Sequence, residues 1–345
     1  MTRLQMIIGM VLLCVCAHAS AADDRSEGDT SPVWRIENSA ISRELSVEGG
    51  VLRTTAIQNK LAGTEAVPTA CDEFRLRISD GTHVTGSDVV LTSADFVYTG
   101  SCRFLAEDDR SVREVVFNLK NEQHRLKVDV HYVISGDDFY MRKYLVVMPE
   151  LPVTLERIDV DCMELSDVEQ PYQVKEINAR GKWSPGLGQP LYTTESGTFW
   201  GIEFPAASNY VSDRALHSGY LWGREVAGGA SYRTYPAVLG VSKDPKFNRD
   251  AFFDYIDEIR ARPLRLQIQY NTWFDMGRGV RKETFRDSVD LIHRKLVEER
   301  GCRPLRAYVI DDGWQDTSRD WIDKTWKVND KFDADFATSR EVVGR

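Results

Sequence analysis

The chain has 345 residues, 42% of them hydrophobic and 28% charged, with a formal net charge of -9 at neutral pH. At roughly 100 to 200 residues per domain this predicts two domains, each able to bury a core. The acidic balance and the lack of any Lys/Arg cluster argue against nucleic acid as a partner and leave neutral polyhydroxy ligands compatible.

In chain order, Arg3 is followed by an almost wholly apolar run from Met6 to Ala17, then by small residues at Ala17-His18-Ala19 and Ala19-Ser20-Ala21. This pattern predicts a secretory signal peptide over 1–21 and a secreted or periplasmic protein. The run is shorter than the roughly 20 residues that cross a bilayer. No membrane segment is expected once the signal is removed. Residues 23–32 lack apolar side chains, which predicts a flexible leader over 22–32.

From Trp34 the pattern alternates with period two, over Ile41 to Val47, Phe74 to Ile78, Val115 to Leu119, Leu126 to Val133, Phe139 to Val147, Val153 to Val160 and Thr198 to Phe204. Such alternation predicts half-buried strands. Glu48-Gly49-Gly50, Ser79-Asp80-Gly81 and Ser135-Gly136-Asp137-Asp138 break it where a chain reversal fits. Successive antiparallel hairpins follow, and a large β-sandwich is expected over 33–247.

Cys71, Cys102, Cys162 and Cys302 remain after the signal and form no CxxC pair, so zinc has little support. Free thiols or one bridge are expected. The candidate bridge is Cys71 with Cys102, since both border strand-like segments. The histidines show no paired ligand spacing.

The texture changes at Asn248. Phe252, Tyr255, Ile256 and Ile259 recur at helical spacing, Pro263 follows, and Leu264 to Tyr270 alternates as a strand. A second helix is expected over Arg281 to Arg300, with Phe285, Val289, Ile292 and Leu296 on one face and Gly301 as its cap. Leu305 to Ile310 is the next strand. Strand, helix and strand predict a parallel βαβ unit, so 248–345 is expected to begin an α/β domain. From Leu264 to Arg345 the chain is far shorter than the roughly 250 residues of an eight-stranded barrel, and a truncated barrel is expected.

In parallel α/β folds, ligands sit at the carboxyl ends of the strands. The first strand delivers Asn271 and Trp273, and the second delivers Asp311, Asp312, Gly313 and Trp314. Carboxylates accept bonds from sugar hydroxyls, and a Trp face covers the apolar side of a pyranose. Asp-Gly also suits a hairpin turn, and either Trp also suits a core.

Tyr270-Asn271-Thr272-Trp273-Phe274, Tyr308-Val309-Ile310-Asp311-Asp312-Gly313-Trp314-Gln315-Asp316 and Trp326-Lys327-Val328-Asn329-Asp330-Lys331-Phe332 together resemble glycoside hydrolase family 36, the melibiase-type α-galactosidases. The resemblance implies an N-terminal antiparallel β-supersandwich followed by a (β/α)8 barrel, present here as its first, incomplete βα units. It implies retaining hydrolysis of terminal α-linked galactose, an oligosaccharide or glycoside partner, no cofactor and possible oligomers.

By motif, Asp311 and Asp312 match carboxylates that hold the 4- and 6-hydroxyls of galactose, and Trp273 and Trp314 match pocket aromatics. Lys331 and Phe332 match a loop-shaping motif with no ligand contact. Successive residues of a strand point to opposite faces, so Asp311 and Asp312 suit binding rather than an acid/base and nucleophile pair. The family's catalytic carboxylates follow later barrel strands, and no catalytic residue is expected within this chain. A non-catalytic carbohydrate-binding module and a galactosyl-transferring, raffinose-synthase-like enzyme remain the alternatives.

Overall fold

A computed structural model describes residues 33–79, 88–105, 113–169, 188–316 and 327–344. The expected signal and leader lie outside these, as does most of the Ser79-Asp80-Gly81 turn. The chain forms two compact units, one ending at Ile259 and the other starting at Arg260.

The first unit is built almost wholly of antiparallel strands in three sheets of four, nine and six strands. Local sequence explains the pairing. Strands Ile41–Glu48 and Val51–Asn59 are joined through Gly49 and Gly50, whose φ angles are +57° and +82°. A tight two-residue hairpin needs positive φ at both central positions, which glycine adopts without strain. Strand Leu126–Ile134 sits between Arg113–Asn121 and Tyr140–Pro149 with no register shift on either side. Leu126, Val128, Val130, Tyr132 and Ile134 all point inward. They join one hydrophobic core fed by strands of all three sheets, as a sandwich requires.

Four of the buried charged side chains form one network inside that core. Arg43 Nη2 lies 3.0 Å from Glu73 Oε2 and 2.9 Å from Asp161 Oδ1, and Lys143 Nζ lies 2.8 Å from each of the same two atoms. Arg43 belongs to the four-stranded sheet, Lys143 to the nine-stranded sheet and Asp161 to the six-stranded sheet. Thr54 and Tyr132 donate further hydrogen bonds to Glu73. Burial alone would raise the Glu73 carboxyl, but the Lys143 and Arg43 charges override it and hold the group well below its ordinary value.

Cys71 is not bridged. Its thiol donates to Glu73 Oε1 at 3.3 Å, so the candidate Cys71–Cys102 disulfide is not formed. The two cysteines stand on strands of different sheets, one paired with Val153–Glu164 and the other with Arg113–Asn121.

Helix Asn248–Ile259 lies within the first unit, although its sequence suggested the start of the second. Its Phe252, Tyr255, Ile256 and Ile259 cover Tyr140, Tyr192, Phe199 and Val238 on the outer face of the nine-stranded sheet. Tyr255 also donates to Glu203 Oε1 at 2.6 Å, which Arg142 Nε reaches at 2.5 Å.

The second unit holds a parallel pair of short strands, Gln269–Asn271 and Ala307–Val309, with Tyr270 opposite Tyr308. Helix Lys282–Ile292 connects them and continues through a wider π-helical turn, His293–Glu298. Gly301 ends it at φ +65°, with the Gly301 and Cys302 amides on the carbonyls of Val297 and Leu296. Val280, Phe285, Val289, Phe332 and Val342 form the small core. The first strand is shorter than its alternation predicts, and Leu264 and Leu266 are 85% and 83% exposed.

Candidate functional site

The two parallel strands deliver their last residues to one place. Thr272, fully buried, donates its amide to the Val309 carbonyl at 3.1 Å, and its hydroxyl accepts the Asp311 amide at 3.0 Å. Asn271 spans the same gap, giving Nδ2 to Asp311 Oδ2 at 2.8 Å and accepting the Trp273 amide on Oδ1 at 2.8 Å. The other Asp311 oxygen accepts the Asp312 amide at 2.7 Å. That amide, and then Asn271, lower the Asp311 carboxyl below its ordinary value, because both bonds favour the charged form.

Asp312 has different partners. Its Oδ1 accepts the Gly313 amide at 3.1 Å, and its Oδ2 lies 2.8 Å from both Nε and Nη2 of Arg278. The turn that carries Arg278, Gly277–Gly279, passes directly over Gly313. A β-carbon at Gly313 would stand 2.7 Å from the Arg278 Cα and carbonyl oxygen, and its φ is +113°. Glycine is required there both for space and for conformation.

The third motif supports the loop from beneath. Asn329 donates Nδ2 to the carbonyls of Gly313 at 2.9 Å and Gln315 at 3.1 Å, and Lys331 donates Nζ to the Arg278 carbonyl at 2.7 Å. Phe332 is buried beside Phe336. Trp326 lies outside the described residues.

Of the four expected site residues, Asp311 and Asp312 stand side by side, and Trp273 is tied to them through Asn271. Trp273 is 45% exposed at the start of the short helix Trp273–Met276. Trp314 is half-buried, packed against the small core with its ring 5.5 Å from Phe336. Sequence reasoning missed Arg278, Thr272 and Asn329. The glycines flanking Arg278 were the only local sign that a tight turn brings it in.

Trp273 and Arg278 are exposed beside the two carboxylates. A cavity of about 540 Å³ in this unit lies at the opposite ends of the strands, lined by Arg265, Leu266, Ile268, Arg303, Pro304 and Arg306. Among the described residues no three His, Cys, Asp or Glu side chains are placed to share a metal ion.

No family model and no curated protein matches the chain. Solved structures do. An α-galactosidase from Lactobacillus brevis superposes with a TM-score of 0.56 at 12% identity, covering 91% of this chain and 53% of that one. The galactosidase domain of the α-galactosidase-sucrose kinase AgaSK gives 0.53 at 11%, covering 82% and 50%. The GH36 α-galactosidase AgaA from Geobacillus stearothermophilus gives 0.52 at 10%, covering 90% and 55%; a variant of it has been solved with 1-deoxygalactonojirimycin. The chain spans about half the length of these structures. At these identities the likeness is one of fold, and the fold this chain shares is that of α-galactosidases.

Proposed function

We propose that the chain is part of an α-galactosidase-like retaining glycoside hydrolase acting on terminal α-linked galactose, and that the Asp311-Asp312 shelf is where the sugar is recognised. The observation that carries this reading is the pair of fixed carboxylates just past the carboxyl end of one of two parallel strands, tied to Asn271 at the end of the other, the position at which α/β folds bind ligands. The α-galactosidase fold supports the choice of sugar. Under this reading the second unit begins a (β/α)8 barrel.

In this role Asp311 and Asp312 accept hydrogen bonds from ring hydroxyls, and Trp273 offers its exposed face to the apolar side of the pyranose. Trp314 bounds the shelf from the core side. A retaining mechanism needs a nucleophile and an acid/base about 5 to 5.5 Å apart across the glycosidic bond. Asp311 and Asp312 are not assigned to it, because successive residues after a strand point to opposite faces, and the Asp312 amide and Asn271 hold the Asp311 carboxyl in its charged form, whereas an acid/base must exchange its proton.

Calorimetric titration of the chain with galactose and with 1-deoxygalactonojirimycin tests the reading. Saturable binding of both is expected, with Asp311→Asn weakening galactose by about tenfold, as for loss of one charge-assisted hydrogen bond. Absence of saturable heat with either ligand would refute sugar recognition by this shelf.

A further inference from the structure

The geometry points to Arg278 as a further substrate-binding residue of this site, with Asp312 as its anchor. The sugar then meets acceptors on the two carboxylates and donors on Arg278. The inference rests on the sugar-binding reading above.

Counting lone pairs leads to it. An ionised carboxylate offers about four acceptor positions. On Asp312, Nε–H of Arg278 takes one place on Oδ2 and the Gly313 amide takes one on Oδ1, so two positions are left. On Asp311 each oxygen takes one N–H, so two positions are left. A sugar hydroxyl also needs a donor for its own oxygen, which carboxylates cannot supply.

Arg278 supplies that donor. Its guanidinium has five N–H groups, and Nη1 makes no hydrogen bond to any described residue. The side chain is 77% exposed beside the carboxylates. Asn271 already gives its amide to Asp311, and Lys331 its ammonium to the Arg278 carbonyl.

Arg278 is also held at both ends: its carbonyl by Lys331, its backbone against Gly313 and its head by Asp312. Such fixing lowers the ordering cost of binding. An ion pair this exposed contributes little to stability, so its value lies in what it presents to a ligand.

The test titrates the full chain with galactose and its monodeoxy analogues. Arg278→Gln is expected to weaken galactose about tenfold, the loss of one hydrogen bond to a charged donor. Arg278→Lys, which keeps the charge without the fork, is expected to fall between. One monodeoxy-galactose should bind the wild type and Arg278→Gln equally, since the hydroxyl that Arg278 serves is already gone. Because the side chain is exposed, unchanged circular dichroism should accompany these effects. If the wild type binds galactose and Arg278→Gln matches it, or loses affinity by one factor for every analogue, the role of Arg278 is overturned while the site stands. If the wild type binds no galactose, the site reading falls and Arg278 with it.

Discussion

At Asp311 the hydrogen bonds that fix the carboxylate also keep it charged. The Asp312 amide and the Asn271 side chain both favour the ionised form, so the folded group protonates only below the ordinary aspartate value of about 3.9. Galactose affinity should therefore stay flat from neutral pH down through pH 5 and fall only in stronger acid, as pH drops through the lowered value. Calorimetry across that range checks it; a fall centred between pH 5 and 7 would mean that another group controls binding. That Asp311 and Asp312 follow directly on a strand was legible from the chain, because the strand pattern ended on them. Arg278 was not, because its place depends on a backbone crossing at Gly313, 35 positions away in sequence and invisible to any local pattern.

At the scale of elements, period-two alternation located the central strands well, since each buries one face and exposes the other. Leu126–Ile134 and Tyr140–Pro149 lie almost where the pattern put them. Leu264 to Ile268 alternates equally well yet is not a strand. Alternation reports a face suited to burial, whereas a strand also needs a partner for its backbone, and pairing here spans only Gln269–Asn271. Helix Asn248–Ile259 shows a related limit: its apolar stripe was clear, but nothing in it said which surface it would cover. That surface depends on Gly240, where a β-carbon would lie 1.9 Å from the Phe199 ring. Gly240→Ala should push Phe199 out from under the helix and cost about 1–3 kcal/mol, as overpacked cores do. Urea denaturation measures this, and a midpoint equal to the wild type's would show that the contact can relax.

For the whole molecule, the change in periodicity at Asn248 did not mark the division, since the first unit runs on to Ile259. The charges inside the sandwich were harder to see. Arg43 lies in phase with Ile41 and Leu45, and Lys143 in phase with Met141 and Leu145, so both occupy inward positions of otherwise apolar faces. That phase was the available signal. Which carboxylates would meet them depends on how three sheets come together, which no segment encodes alone. Lys143→Met should leave Glu73 and Asp161 sharing Arg43 alone and destabilise the chain by about 3–5 kcal/mol, the cost of breaking a buried pair. A loss below about 1 kcal/mol in urea denaturation would mean that the remaining arginine suffices.

Since each sheet contributes one member, this network works like a three-key lock on strand register. A slip of one residue in Ile41–Glu48, Tyr140–Pro149 or Val153–Glu164 swings its charge to the opposite face and strands the other members in a dry interior. A miswound sandwich is thereby penalised in a way that apolar packing alone, which tolerates many arrangements, cannot match. The charges proofread the assembly on which the rest of the chain is built.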